Sequence, residues 1–214
     1  MLGRHHILIT LLLLFPFIYS FFPNIHIALF LVFLGSIVPD VDAKESAFKH
    51  GGMFVSKKMK KLIRRFYVLL KYLFYYPYAF AVSFISKDAL KHRRAMHSLF
   101  PAIFLTALFY IVLSYFNIGI YSFSFLLGYT FHLIEDSFTK SGVCFLYPFN
   151  FCLKGRLRTG SLTTSLICDV LVAIFSIPLI MFFKGLYFGI LIFSHSVEYV
   201  VIATLIMAVL FLKY

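Results

Sequence analysis

The sequence SLFPAIFLTALFYIVLSYFNIGIYSFSFLLGYTFHLIEDSF (residues 98–138) contains two long apolar runs, 98–116 and 119–138, with a short break at Asn117 between them. Each run approaches the ~20 residues that a helix needs to cross a bilayer. A break of this kind is typical of a tight turn between antiparallel helices. The stretch therefore predicts a helical hairpin inserted in a membrane.

The rest of the chain repeats this pattern. Further apolar runs cover residues 7–22, 25–38, 164–183 and 186–212. The chain is 62% hydrophobic with 29 Phe, whereas soluble domains are nearer half apolar. We therefore predict an all-α, polytopic integral membrane bundle of about six spans, forming a single domain over residues 1–214. The first run has no small-residue cleavage signal, which favours a retained span over a signal peptide.

A basic segment interrupts the apolar runs. Residues 43–94 hold thirteen of the 20 Lys and Arg residues. Apolar residues recur there at helical spacing, with Lys and Arg on another face, which is the pattern of a helix lying on an anionic membrane surface. Residues 66–86 are long enough to cross, but Lys71 and Pro77 argue against a crossing. We predict an interfacial or re-entrant segment over about 57–86.

Counting crossings from a cytoplasmic N-terminus predicts the orientation. Lys184 then lies outside and the other nineteen basic residues lie inside, in agreement with the positive-inside rule. Both termini are predicted on the cytoplasmic side of the inner or plasma membrane. The same count brings four polar motifs to one membrane face. They are His5-His6, Pro39-Asp40-Val41-Asp42, His92-Arg93-Arg94-Ala95-Met96-His97 and His132-Leu-Ile-Glu-Asp136.

These motifs contain enough donor atoms for a metal centre. His132 and Asp136 lie one helical turn apart on one face, and burying both needs a partner such as a metal ion. The predicted metal ligands are His6, Asp40, Asp42, His92, His97, His132 and Asp136. Nitrogen and oxygen donors without thiolates favour Zn²⁺, with Mn²⁺ or Fe²⁺ as alternatives. Seven donors exceed the needs of one tetrahedral ion, so we predict two ions that share a carboxylate.

The predicted chemistry is hydrolysis. Two ions about 4 Å apart clamp an ester or phosphoester and activate water. The candidate catalytic residues are Arg93 beside a developing anion, and Asp42 or His97 for proton transfer. The substrate would be an ester or phosphoester, such as a lipid-linked one, at the cytoplasmic face. Anionic lipid headgroups are the expected partners. No nucleic acid is expected, because an excess of Lys and Arg in a membrane protein first reflects which segments face the cytoplasm.

Other readings of the same residues stay open. Each motif alone has a simpler explanation, as a turn cap, a solvated basic run or an intramembrane hydrogen bond. A metal-binding transporter using the same ligands and His195–Glu198 is one alternative, and a non-catalytic lipid-associated protein is another. A transporter needs polar residues strung across the membrane, whereas an enzyme needs them on one side.

The cysteines predict no special chemistry. Cys144, Cys152 and Cys168 are odd in number and lack CxxC spacing, which argues against a disulfide framework and a thiolate zinc site. We expect inert thiols.

Three of the motifs resemble a known family. PDVDAKES (39–46), HRRAMHSLF (92–100) and HLIEDSFTKSGVCFLYPF (132–149) are similar to segments of the YdjM-like family of membrane-bound metal-dependent hydrolases. The resemblance covers most of residues 6–161 in the same order. It implies the same metal ligands and a hydrolase activity. Arg94 and Met96 stand where that family usually has Gly and Thr.

Overall fold

The computed structural model describes residues 3–42, 61, 65, 68–83, 96–147, 149 and 151–212. The α-helices of this described part are α1 (Gly3–Phe21), α2 (Ile25–Ile37), α3 (Tyr76–Ser83), α4 (Leu99–Ser114), α5 (Ser122–Ser137), α6 (Leu162–Phe183), α7 (Tyr187–Ser194) and α8 (Ser196–Phe211). Shorter elements are the 3₁₀ turns Val38–Asp42 and Gly119–Tyr121, the π-helical turn Lys71–Tyr75, and the antiparallel strands β1 (Val143–Cys144) and β2 (Cys152–Leu153).

The predicted helical class is confirmed, because the structure is mostly helical. Among the described helices, α6 is the one long and apolar enough to cross a membrane by itself. A second candidate span exists if α7 and α8, which meet at 90°, act as one bent span. The other apolar helices are shorter, so a bundle of six spans stays a prediction.

Helices α2 and α5 are in backbone contact, and this contact positions the site. Gly35 of α2 lies against the backbone of Phe125 and Tyr129, and Gly128 of α5 lies against the backbone of Val32. A Cβ atom at either glycine would overlap the opposite main chain. Small residues allow helices to approach in this way. The close approach brings the C-terminal ends of both helices, which carry the polar motifs, to the same place.

The turns at the other end of the bundle are held by side chains. Asn24 caps α2 by accepting hydrogen bonds from the N–H groups of His26 and Ile27. Its own N–H donates to Tyr121 Oη over 2.8 Å, which joins the α1–α2 turn to the α4–α5 turn. Asn117 takes a positive φ of 60° in the α4–α5 connection.

Only part of the basic segment is described, namely residues 61, 65 and 68–83. Leu70 and Phe74 are buried, and the Phe74 ring lies 5.9 Å from that of Phe109 in α4. Leu70 and Phe74 therefore pack against the bundle. Most of the predicted amphipathic helix lies outside the described residues, so its interfacial placement stays a prediction.

The expectation of inert thiols was wrong for two of the three cysteines. Cys144 and Cys152 face each other across β1 and β2 and form a disulfide, whereas Cys168 is free and buried. An eight-residue separation does not reveal this pairing until the hairpin is known. The hairpin also supports α4, because Leu99 N–H donates to Phe145 O over 2.8 Å.

The last apolar run is bent rather than straight. The chain turns at His195 between α7 and α8. Ser20 at the end of α1 donates to the Phe193 carbonyl over 2.9 Å. The bend is therefore near the C-terminal end of α1, away from His6. His195 and Glu198 lie 3.8 Å apart with both side chains exposed.

Candidate metal centre

Four of the predicted ligands converge on one point. Asp40, His97, His132 and Asp136 each offer one donor atom, and these atoms all lie within 4.8 Å of one another. His97, His132 and Asp136 are buried, and the Asp40 side chain is 21% exposed. Residues from three separate parts of the chain thus form a single cluster.

Each ligand is carried by a helix end. Asp40 lies in the 3₁₀ turn Val38–Asp42 that follows α2, where Pro39 lacks the N–H needed to continue an α-helix. His97 comes just before Ser98, the extended N-cap residue of α4. His132 and Asp136 occupy successive turns of α5. Three of the four donors therefore lie on helical turns, and His97 lies in the bend immediately before one.

The separations suit a tetrahedral ion. His97 Nε2 lies 3.4 Å from Asp136 Oδ2 and 3.5 Å from Asp40 Oδ1. His132 Nε2 lies 3.8 Å and 3.7 Å from the same two carboxylates. Ligands bound to Zn²⁺ at about 2.0–2.1 Å in a tetrahedron lie roughly 3.3 Å apart. The four imidazole–carboxylate separations lie within about 0.5 Å of that value.

A backbone carbonyl fixes the tautomer of His132. The ring Nδ1 lies 2.8 Å from Ser36 O and donates to it, because a carbonyl only accepts. The lone pair of Nε2 therefore faces the carboxylates, and this atom makes no hydrogen bond within the described part of the chain. Metal-bound imidazoles are oriented by hydrogen bonds of this type.

The segment carrying His97 is tied down on both sides. Tyr129 Oη of α5 donates a hydrogen bond to the Met96 carbonyl. On the other side, Leu99 is bonded to Phe145 of the disulfide hairpin. Met96 and Ser98 are buried, so the imidazole is set in a packed environment.

His6 lies beside the cluster between two consecutive carboxylates. Its Nδ1 is 2.7 Å from Glu135 Oε2, and its Nε2 is 3.4 Å from Asp136 Oδ1. Thr10 donates to the other Glu135 oxygen over 2.8 Å. His6 and Glu135 are both buried.

Glu135 was missed by sequence reasoning, although a signal was present. It is an ionisable residue in an apolar run, and such a residue in a membrane helix normally has a functional partner. The neighbouring His5 was also passed over. The His5 side chain is buried, and its Nε2 lies 3.0 Å from Oδ1 of Asp169, an exposed residue in the N-terminal half of α6.

The charge of Asp40 is supported by the imidazoles. Burial alone would raise the pKa of its carboxyl, but the nearby His132 and His97 rings hold that pKa below its usual range. This direction favours the ionised form of Asp40, which is the form that binds a cation.

The donor set fits a metal ion. Two carboxylates and a lone pair of His132 converge in a buried space, and such a concentration of acceptors is suited to hold a cation. The other predicted residues are not placed. His92 and Arg93 lie outside the described residues, and Asp42 ends the turn Val38–Asp42 with its side chain outside the described part.

The whole chain matches one family model. The match is to the model described as YdjM inner membrane protein, and it covers residues 1–214. Searches of curated proteins and of solved structures found no match. The family description and the apolar helix α6 together support a membrane location. From the ordered motifs, the assembled cluster and this full-length match, the chain belongs to the YdjM inner membrane protein family.

Proposed function

We propose that this chain is a membrane-bound, metal-dependent hydrolase that attacks an ester or phosphoester with activated water. The observation that carries the proposal is the convergence of Asp40, His97, His132 and Asp136 on one buried point. A hydrolytic metal site needs this kind of compact set of nitrogen and oxygen donors.

The first ion would be held by these four residues. Two imidazoles and two carboxylates without thiolates favour Zn²⁺, and they also suit Mn²⁺ or Fe²⁺. The separations of 3.4–3.8 Å between imidazole nitrogens and carboxylate oxygens support a four-coordinate ion.

A second ion would be held by His6 and shared with Asp136. The Oδ2 atom of Asp136 faces His97 and His132, whereas Oδ1 faces His6 Nε2 at 3.4 Å. A carboxylate whose two oxygens face different imidazoles is suited to bridge two ions. Asp42 and His92 are the proposed source of its remaining ligands.

The bound ions would supply an acidified water and an electrophile for the ester oxygen. The chain's own residues do the rest. Asp40 and Asp136 balance the positive charge, and His132 is kept in its binding tautomer by Ser36. We assign Arg93 to the substrate anion, and proton transfer to Asp42 or His97.

The proposed setting is the cytoplasmic face of a bundle of about six spans. The asymmetric distribution of Lys and Arg supports this orientation. The basic segment over residues 57–86 would bring anionic headgroups to the site, so a lipid-linked phosphoester is the proposed substrate class.

The test is metal analysis and hydrolysis by the detergent-purified protein. The substrates are bis(4-nitrophenyl) phosphate and vesicles of anionic phospholipid. Asp136→Asn and His132→Ala should lose bound metal and hydrolysis together, whereas His195→Ala, which alters an exposed imidazole at the bend, should keep both. Unchanged metal content in the first two variants would refute the site. Bound metal that moves across vesicles without any hydrolysis would favour a transporter.

A further inference from the structure

We infer that Glu135, held by Thr10, is the positioning residue that makes His6 a metal ligand. The inference rests on the proposed function only in taking the group beside Asp136 to be a metal ion. The sequence motifs predict His132 and Asp136 of α5 as metal ligands, but they predict no role for Glu135, which precedes Asp136.

The first step is the tautomer of His6. A carboxylate accepts and does not donate, so the 2.7 Å contact means that His6 Nδ1–H donates to Glu135 Oε2. The remaining nitrogen, Nε2, lies 3.4 Å from Asp136 Oδ1. In the neutral ring this nitrogen carries a lone pair, and a cation placed between it and Asp136 would be held by both atoms.

The second step is the rigidity of Glu135. The hydroxyl of Thr10 lies one turn of α1 beyond His6 and donates to Glu135 Oε1 over 2.8 Å. Both carboxylate oxygens of Glu135 are thus hydrogen-bonded to side chains of α1, one to the proposed metal ligand His6 and the other to Thr10. Because Glu135 is 1% exposed, it acts through His6 and does not reach a substrate itself.

The third step is a comparison inside the same chain. His195 and Glu198 also form an imidazole–carboxylate pair, but at 3.8 Å and with both side chains exposed. No donor set surrounds that pair in the described structure. The burial and the short contact distinguish Glu135 as a positioning group, since second-shell carboxylates commonly orient metal-bound imidazoles.

The decisive variant is Glu135→Gln. The amide keeps the size of the side chain and can still accept from Thr10 with its oxygen. In the orientation in which the amide oxygen accepts from Thr10, the NH₂ group faces His6 Nδ1, which then becomes the acceptor, so the ring proton moves to Nε2 and blocks the ligand position. Affinity for the second ion should fall about 10- to 100-fold, as for other outer-shell changes. Glu198→Gln is the matched control and should change nothing.

The measurement is a Mn²⁺ titration of the metal-free, detergent-purified protein, followed by electron paramagnetic resonance. Wild type and Glu198→Gln should bind two ions and show a spin-coupled pair, whereas Glu135→Gln should show an isolated ion. In a double-mutant cycle, Glu135→Gln should have no further effect once His6→Ala is present. A merely structural role would not produce either result.

Variants at Thr10 provide a second test in case Glu135→Gln does not fold. Thr10→Val removes the hydroxyl at nearly constant volume and should lower the affinity for the second ion. Thr10→Ser keeps a hydroxyl and should bind that ion as the wild type does. If wild type binds two ions and Glu135→Gln binds them equally well, the inference is overturned and the proposed function stands. If wild type binds one ion, His6 is no ligand and the inference also fails. If it binds none, the proposed function fails with it.

Discussion

Gly35 and Gly128 lie face to face where α2 and α5 cross, with no room for a Cβ atom on either. One residue after Gly35, the carbonyl of Ser36 accepts the Nδ1–H of His132, which is one turn after Gly128. The backbone contact and the orientation of a metal ligand are therefore one structural feature. A change in helix spacing must move the imidazole.

We predict that Gly128→Ala impairs folding and metal binding together. The added methyl group meets the Val32 backbone, which cannot rotate away. Overpacking of this kind costs about 1–3 kcal/mol in the free energy of unfolding. Chemical denaturation in detergent and a zinc titration measure the two effects. Ala107→Val, which adds bulk at an exposed position of α4, is the control. Wild-type zinc affinity in Gly128→Ala would contradict the coupling.

Removal of metal should destabilise the wild-type protein. An ion that binds only the folded state adds about 2.7 kcal/mol when its concentration is 100 times its Kd. Thermal unfolding should therefore begin at a lower temperature in a chelator than in zinc. Asp136→Asn lacks the shared carboxylate, so its unfolding should not respond to zinc. An equal response in both proteins would place the stabilising ion elsewhere.

Tyr129→Phe should weaken metal binding through the segment that carries His97. The variant loses the hydrogen bond to the Met96 carbonyl, which is worth about 0.5–1.5 kcal/mol. Zinc affinity and thermal stability should both fall. Tyr199→Phe is a matched control, because Tyr199 Oη has no hydrogen-bond partner among the described residues. Equal behaviour of the two variants would show that Tyr129 does not support the site.

Replacing both Cys144 and Cys152 by Ser should loosen the hairpin. For a closed loop of this length, the loss of chain-entropy stabilisation is about 2–3 kcal/mol. The effect should reach the start of α4, because Phe145 accepts the hydrogen bond of Leu99. Amide hydrogen exchange measured by mass spectrometry would detect faster exchange in both segments. Unchanged exchange around Leu99 would show that the hairpin does not brace the helix.

The same cysteine pair tests the proposed orientation. Disulfides persist in oxidising compartments, whereas cytoplasmic thiol systems keep cysteines reduced. The disulfide and a cytoplasmic site are compatible only if the pair is reduced in cells, so for the proposed orientation rapid acid quenching and alkylation of intact cells should find Cys144 and Cys152 reduced. A fully oxidised pair in growing cells would place the site on the opposite side. Cys168, which is buried and free, serves as an internal reference for labelling.

The sequence predicted the helical class and the core of the donor set for good physical reasons. Long apolar runs can satisfy their backbone groups only as helices in a membrane. The spacing of His132 and Asp136 places them on one helix face. Polar groups in such a setting need partners, which identified Asp40 and His97 as well.

Other features could not be read from local patterns. Glu135 and His5 are adjacent in sequence to predicted ligands, but their roles depend on how α5 and α6 rotate against α1. The bend at His195 interrupts a run whose hydropathy is continuous. Periodicity reports which residues share a face, and it does not report which face meets which neighbour.

Local hydropathy and residue spacing are enough to show that this chain is helical and apolar, and that its nitrogen and oxygen donors lie near helix ends. Tertiary contacts are needed to bring Asp40, His97, His132 and Asp136 to one point, to place Glu135 against His6, and to join Cys144 to Cys152. These contacts depend on the crossing of helices distant in sequence, above all the backbone contact between Gly35 and Gly128, which no local pattern encodes.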